Sequence, residues 1–147
     1  MTLSHCRFVW LAAAALVLSA GCGDDDGPII AKAEGIVLVD GKPTKDIAVR
    51  FHPTNGPISV ALTDENGKFV LTTRSLHDGA VVGNHEVALV HADPNRPIGQ
   101  SEAEAIAKSP ISIKYGRPET SGVKAKVEPD IVNSFVFELP GKGQQTK

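Results

Sequence analysis

The sequence predicts an all-β fold, an antiparallel β-sandwich of about seven short strands with one short helix in a long loop. Three observations predict it. Beyond residue 32, apolar side chains recur with a period of two rather than 3.6, so each segment has one apolar face. Clusters of Asp, Asn, Gly and Pro punctuate the segments, which follow one another over roughly 110 residues. Good helix formers gather in one place only, between Ser101 and Lys108.

The strands follow in order. Ala33, Gly35, Val37 and Val39 share a face of the first, and Asp40-Gly41-Lys42-Pro43 closes it with a turn in which Gly41 takes positive φ. Ile47, Val49 and Phe51 alternate with Ala48, Arg50 and His52 in the second. Ile58, Val60 and Leu62 alternate with Ser59, Ala61 and Thr63 in the third, and Asp64-Glu65-Asn66-Gly67 then turns the chain into Phe69, Leu71 and Thr73. After a Gly-containing connection, His85, Val87, Leu89 and His91 share a face. Val123, Ala125 and Val127 alternate with Lys124, Lys126 and Glu128, and Phe135, Phe137 and Leu139 alternate with Val136 and Glu138. Phe135 and Phe137 are expected to meet Val37, Phe51 and Leu71 between the sheets.

The helix Ser101–Lys108 opens on a Ser-x-x-Glu capping box, Ser101 with Glu104, and stops before Pro110. It lies within the long connection from Ala92 to Ser121, and connections of that length in a compact domain are functional or mobile. Arg96, Ile111, Ile113 and Tyr115 make this segment the candidate interaction loop, because rigid turns there carry apolar groups that no strand pattern obliges to be buried. The alternative is that Ile111, Ile113 and Tyr115 pack over an open sheet edge and shield it from other chains.

Residues 1–21 read as a signal peptide. Arg7 precedes an apolar run from Phe8 to Leu18 that is too short to span a bilayer, which takes about 20 residues. Leu18-Ser19-Ala20-Gly21-Cys22 resembles the bacterial lipobox, with Ser19 where that pattern has Leu and Leu18 one place further out. The resemblance implies that Cys22 receives lipid and becomes the mature N-terminus. Cysteine arithmetic agrees: the sequence has two, Cys6 leaves with the signal peptide, and acylation accounts for the remaining unpaired thiol. An ordinary signal peptide cleaved near Ala20 is the alternative. Residues 22–31, with Asp24, Asp25 and Asp26 between glycines, are expected to be a flexible acidic tether, 32–140 the folded domain and 141–147 a disordered tail.

Gly35-x-Val37-x-x-Asp40-Gly41-Lys42-Pro43, Val49-x-Phe51-x-Pro53 and Thr63-Asp64-x-x-Gly67-x-Phe69-x-Leu71 resemble the carboxypeptidase regulatory-like domain, an Ig-like or transthyretin-like sandwich. Ser109-Pro110-Ile111, Lys114-Tyr115, Pro118-x-Thr120-Ser121-Gly122 and Asn133-x-Phe135-x-Phe137-x-Leu139 are similar to small bacterial lipoproteins built on that domain. The resemblance implies fold and compartment, and a domain that accompanies other proteins without catalytic residues of its own.

Charge and motifs narrow the function classes. Net charge is -2, and from Lys32 onward 14 basic residues face 14 acidic ones, so there is no basic face for nucleic acid. His85-Glu86 begins like a zinc-protease motif, but Leu89 stands at the second histidine position, and His85 and His91 lie about 20 Å apart along a strand at 3.3 Å per residue. Asp64-x-Asn66 lacks the glycine and glutamate of a calcium loop and reads as a hairpin turn. Ser121-x-x-Lys124 has none of its partner motifs. No cofactor or metal is expected. The expected function is a lipid-anchored, non-catalytic envelope module with a protein partner. A glycan-binding module is one alternative, although Tyr115 would be its only Tyr or Trp platform once Trp10 is removed. A transthyretin-like hydrolase is another, although the chain lacks that family's Tyr-Arg-Gly-Ser tail.

Overall fold

The computed structural model describes residues 27–144, so the signal peptide and Cys22 lie outside the described residues. The chain runs β1 (Ile30–Ala31), β2 (Ala33–Val39), β3 (Lys42–Pro43), β4 (Ile47–Pro53), β5 (Ser59–Leu62), β6 (Lys68–Val70), β7 (Ala80–Val81), β8 (Gly83–His91), α1 (Glu102–Lys108), α2 (Pro118–Ser121), β9 (Val123–Val127) and β10 (Asn133–Leu139). Tight 3-10 turns cover Ile113–Gly116 and Lys142–Gln144. The longer strands are those that alternation predicts; the two-residue strands β1, β3 and β7 are too short to show a period.

One sheet has the order β5-β4-β8-β9 and is antiparallel throughout. A second four-stranded sheet is centred on β2, with β10 on one side and β3 and β6 on the other, and β1 and β7 make a small two-stranded sheet. Its β2–β10 pairing corrects the antiparallel expectation. The two strands are parallel, in register from Asn133 opposite Ala33 to Leu139 opposite Val39. Alternation reports a strand's faces but not its direction, and strands about a hundred residues apart share no hairpin that would fix it.

The sheets enclose one core. Phe51 of β4 meets Phe135 and Phe137 of β10 edge-on, with ring centroids 5.3 and 6.0 Å apart, and Phe137 stacks on both Phe69 and Phe135 at 6.0 Å. Val37 and Leu71 are fully buried, so the expected inter-sheet residues form the centre of the protein. Gly35 makes room for this stack, since a Cβ there would lie 2.7 Å from Phe69 Cζ. The expected turns are also present: Asp40 and Gly41 both have positive φ, and the Asp64 carboxylate accepts from the backbone N–H of Asn66 and Lys68.

β5 reverses the polarity of its neighbours. Ser59 and Thr63 point into the core, while Ile58, Val60 and Leu62 are exposed. The inward hydroxyls are satisfied: Thr63 Oγ1 accepts from Ile47 N at 2.8 Å and donates to Thr44 O at 2.9 Å, and Ser59 Oγ lies 2.7 Å from Thr73 Oγ1. With those bonds made, small polar groups are stable inside and the apolar series faces out.

Both expected flexible ends yield residues to the fold. Ile30 and Ala31, placed in the tether by composition, pair with β7. Gly141 and Lys142, placed in the tail, are held by Asp40 Oδ1 at 2.7 Å and Pro110 O at 2.9 Å.

α1 forms as expected, with Ser101 as N-cap and both halves of the capping box made. Ile111 and Tyr115 join the core cluster with Val39, Leu89 and Leu139. β9 pairs with β8 only as far as Val87, and the turn Ile113–Gly116 packs on the rest of β8. This part of the segment covers an edge.

Phe137 is 7% exposed and its neighbour Val136 is 68% exposed. Phe137→Ala is expected to destabilise by about 3 to 5 kcal/mol and Val136→Ala by under about 0.5 kcal/mol, read by denaturant titration. Similar losses from the two would contradict this facing of β10.

Candidate functional site

Of the residues singled out by sequence, Arg96 and Ile113 are exposed and Ile111 and Tyr115 are buried. The candidate interaction loop is therefore split: Ile111 and Tyr115 pack into the core cluster, while Arg96 and Ile113 stay on the surface. Arg96 Nη2 donates to Gln100 O at 2.7 Å, at the mouth of a cleft of about 160 Å³ beneath α1. Tyr115 offers no sugar platform, since its ring is buried beneath Lys114 Nζ at 4.8 Å. No Phe, Tyr or Trp among the described residues is exposed.

An open cleft of about 820 Å³ lies beside β4, β8 and β9 and is lined by His52, Asn84, His85, Glu86, Glu119 and Lys124, among others. Register builds it: β4 and β8 pair His52 with Glu86 and Pro53 with His85, and β9 adds Lys124 opposite Glu86. His85 is 2% exposed and sits against Phe51, with ring centroids 5.3 Å apart. Its Nε2 is 2.6 Å from Val81 O and must donate to it, which leaves Nδ1 unprotonated, buried and without a partner. His52 Nε2 is also buried without a partner. Burial pushes the His85 pKa below its ordinary value, the Val81 carbonyl opposes this, and the His52 charge adds to the lowering.

Chemically the cleft offers a neutral histidine locked in one tautomer, a second histidine beside it, and charged residues at the rim. No group of three His, Cys, Asp or Glu side chains suited to a metal ion occurs among the described residues. The meeting of His52 and His85 at one cleft escapes sequence reading because they lie on different strands; His85 and His91 are the pair visible along the chain.

A second open groove of about 730 Å³ runs between β5 and β6, lined by Val60, Leu62, Val70 and Leu76 with Lys68 and Asp64. The strands meet at both ends of it, Val60 with Thr72 at 2.8 and 2.9 Å and Asp64 N with Lys68 O at 2.8 Å. Between those points β5 pairs with β4 and β6 with β2, in different sheets, so the strands part and expose apolar side chains.

Comparison with known proteins gives no match to a family model, a curated protein or a solved structure. The chemistry of the site thus stands on its own residues, and the buried His85 supplies a test. A histidine with a depressed folded pKa stabilises fully above the unfolded value, and that stability is lost as pH falls from about 6.5 toward the folded value. The protein is expected to lose stability between about pH 7.5 and pH 5.5, and His85→Gln, which keeps a donor for Val81 O but cannot titrate, should lose less. Equal losses in denaturant titrations at the two pH values would overturn this account.

Proposed function

We propose that the chain is a lipid-anchored, non-catalytic module of the bacterial cell envelope, held to the membrane through Cys22 and binding an envelope protein for adhesion or scaffolding. Its two sheets are read as the Ig-like or transthyretin-like sandwich of the carboxypeptidase regulatory-like domain. The residues of the resemblance support that reading by what they do: Gly35 admits the Phe69 ring, Asp40-Gly41 makes a tight positive-φ turn, and Asp64 braces the next hairpin.

The observation that carries a partner-binding role is the β5–β6 groove. Val60, Leu62 and Val70 face solvent along it, while the inward positions of β5 hold Ser59, Ala61 and Thr63. Apolar surface lined up in an open groove, with charged residues at its margin, suits a protein contact better than a solvated face. Anchoring is supported by Cys22 itself, the one cysteine left after residue 21. Among the described residues no helix is long and apolar enough to cross a membrane.

The hydrolase alternative draws on one observation, the two unpartnered histidine nitrogens beside a polar cleft. His85 Nε2 is committed to Val81 O, so His52 is the group a substrate would use. Hydrolysis of a small polar substrate that is lost in His52→Ala would favour this alternative. The glycan alternative lacks an exposed ring.

The anchored protein is expected to partition into detergent and to carry an acylated Cys22, whereas Cys22→Ser should be released without loss of fold. An unmodified N-terminus at another residue, read by mass spectrometry, would end the anchoring reading. A photo-crosslinker at Leu62 in intact envelopes should give a discrete adduct that Val60→Asp removes, while one at exposed Glu138 on β10, across β2 from β6, gives none. Failure at Leu62 would overturn the groove.

A further inference from the structure

We infer that one end of the domain is a membrane-contact surface, formed by Ile29, Leu76, Ile131 and Val132, which dips into the interfacial layer of the bilayer that holds Cys22. This inference rests on the anchoring proposed above. The four side chains are 69%, 81%, 53% and 59% exposed and come from three separate stretches of chain.

Hydrogen bonds bring those stretches to one end. β2 and β10 begin side by side, Asn133 N donates to Lys32 O at 2.8 Å, and Val82 N donates to Ile29 O at 2.8 Å. Lys32 Nζ donates to His77 O at 2.7 Å, next to Leu76. The chain arrives at this same end: a Cβ at Gly27 would lie 2.5 Å from the Arg74 guanidinium.

The supporting loops are fixed by their own polar groups. The Asp78 carboxylate accepts from Thr73, Arg74 and Ser75 N–H at 2.7, 2.9 and 2.9 Å, closing a loop with Leu76 at its tip. Asn133, itself buried, accepts from Glu128 N at 2.8 Å and donates to Glu128 O at 3.0 Å and Lys32 O at 3.1 Å, closing the turn that presents Ile131 and Val132. Holding large apolar side chains outward on braced loops costs little further ordering on contact.

Tether length selects the bilayer as the occupant. Cys22 and Gly27 are five residues apart, so their Cα atoms can be no more than about 18 Å apart whatever the path between them. A seven-residue strand such as β2 spans about 20 Å, more than the tether allows, so the domain cannot stand on its opposite end and the end bearing Gly27 stays nearest the lipid that holds Cys22. That opposite end carries exposed Asp40, Lys42, Lys45 and Glu65, as suits a surface left in water. At this end Lys32, Arg74 and Lys126 are offset by Asp78, Glu128 and Asp130, and Asp24, Asp25 and Asp26 of the adjoining tether add three negative charges, so the contact draws on its apolar side chains and needs neither anionic lipid nor low salt.

The test places single tryptophans at Leu76, Val132 and Ile98, the last fully exposed in the loop before α1. A Trp10→Phe background leaves each new indole the only one in the sequence. The full chain is expressed in a bacterium, purified from its envelope and reconstituted into phosphatidylethanolamine–phosphatidylglycerol vesicles. Indoles at 76 and 132 should emit at shorter wavelength than the one at 98, lose intensity when the lipids carry brominated chains, and do both at low and high salt. The inference is overturned if 76 and 132 behave like 98 in vesicles. It is also overturned if their blue shift appears in lipid-free solution together with dimers in ultracentrifugation, for a second copy then covers this end. The N-terminal mass of the purified protein reads the anchoring separately: an unacylated Cys22 defeats the anchor, whereas an acylated protein with unquenched indoles defeats only the membrane contact.

Discussion

The rest of the structure depends on the parallel pairing of β2 with β10. It joins the first long strand to the last, and both of its ends are closed by side chains. Asn133 Nδ2 reaches Lys32 O at one end, and Asp40 Oδ1 accepts from Gly141 N at the other, each contact linking residues 101 positions apart. Parallel neighbours cannot be joined by a tight hairpin, so the chain between them crosses to the opposite layer and returns, while β3 and β6 stay in this sheet on the other side of β2. β4, β5, β8 and β9 occupy that excursion as the second sheet. Phe135 and Phe137 then project from β10 onto Phe51 and tie the two layers together.

This constraint separates what could be read in the sequence from what could not. A strand's faces, a two-residue turn and a capping box are local, encoded within about ten residues, so the longer strands, the Asp40-Gly41 turn and α1 were readable. The direction of β10 is a property of two segments a hundred residues apart, and alternation is identical for either direction. The facing of β5 failed to show for another reason. Ile58, Val60 and Leu62 look like an inner face until the bonds of Thr63 to Ile47 N and Thr44 O are known, and those bonds come from a different strand. Ile111 and Tyr115 have no period at all, and only the uncovered end of β8 explains their burial. The His52–His85 cleft, likewise, exists only once β4 lies against β8.

These nonlocal features carry most of the functional meaning. The β5–β6 groove opens because β5 belongs to one sheet and β6 to the other, so Leu62 and Val70 stand where a continuous ladder would have closed. Burial of Ile111 and Tyr115 leaves Ile98 and Ile113 as the exposed large apolar side chains of the 92–121 segment, whereas the β5–β6 groove lines up Val60, Leu62 and Val70. The same burial leaves the glycan alternative without an exposed ring, while the histidine cleft keeps a polar alternative open to direct test.

The two ends of the molecule differ for a reason that follows from chain connectivity. At the end far from Gly27, β2 turns to β3 through Asp40-Gly41, and β5 to β6 through Asp64 to Gly67. Tight turns of this kind need positive φ and side-chain acceptors, so Asp, Asn and Gly fill them and the surface is polar. At the end near Gly27, Asp78 and Asn133 brace the loops from within and His77 and Asp130 take the positive φ that the turns need, which leaves the neighbouring Leu76, Ile131 and Val132 as exposed tips. The exposed apolar tips at this end thus rest on internal bracing by polar side chains.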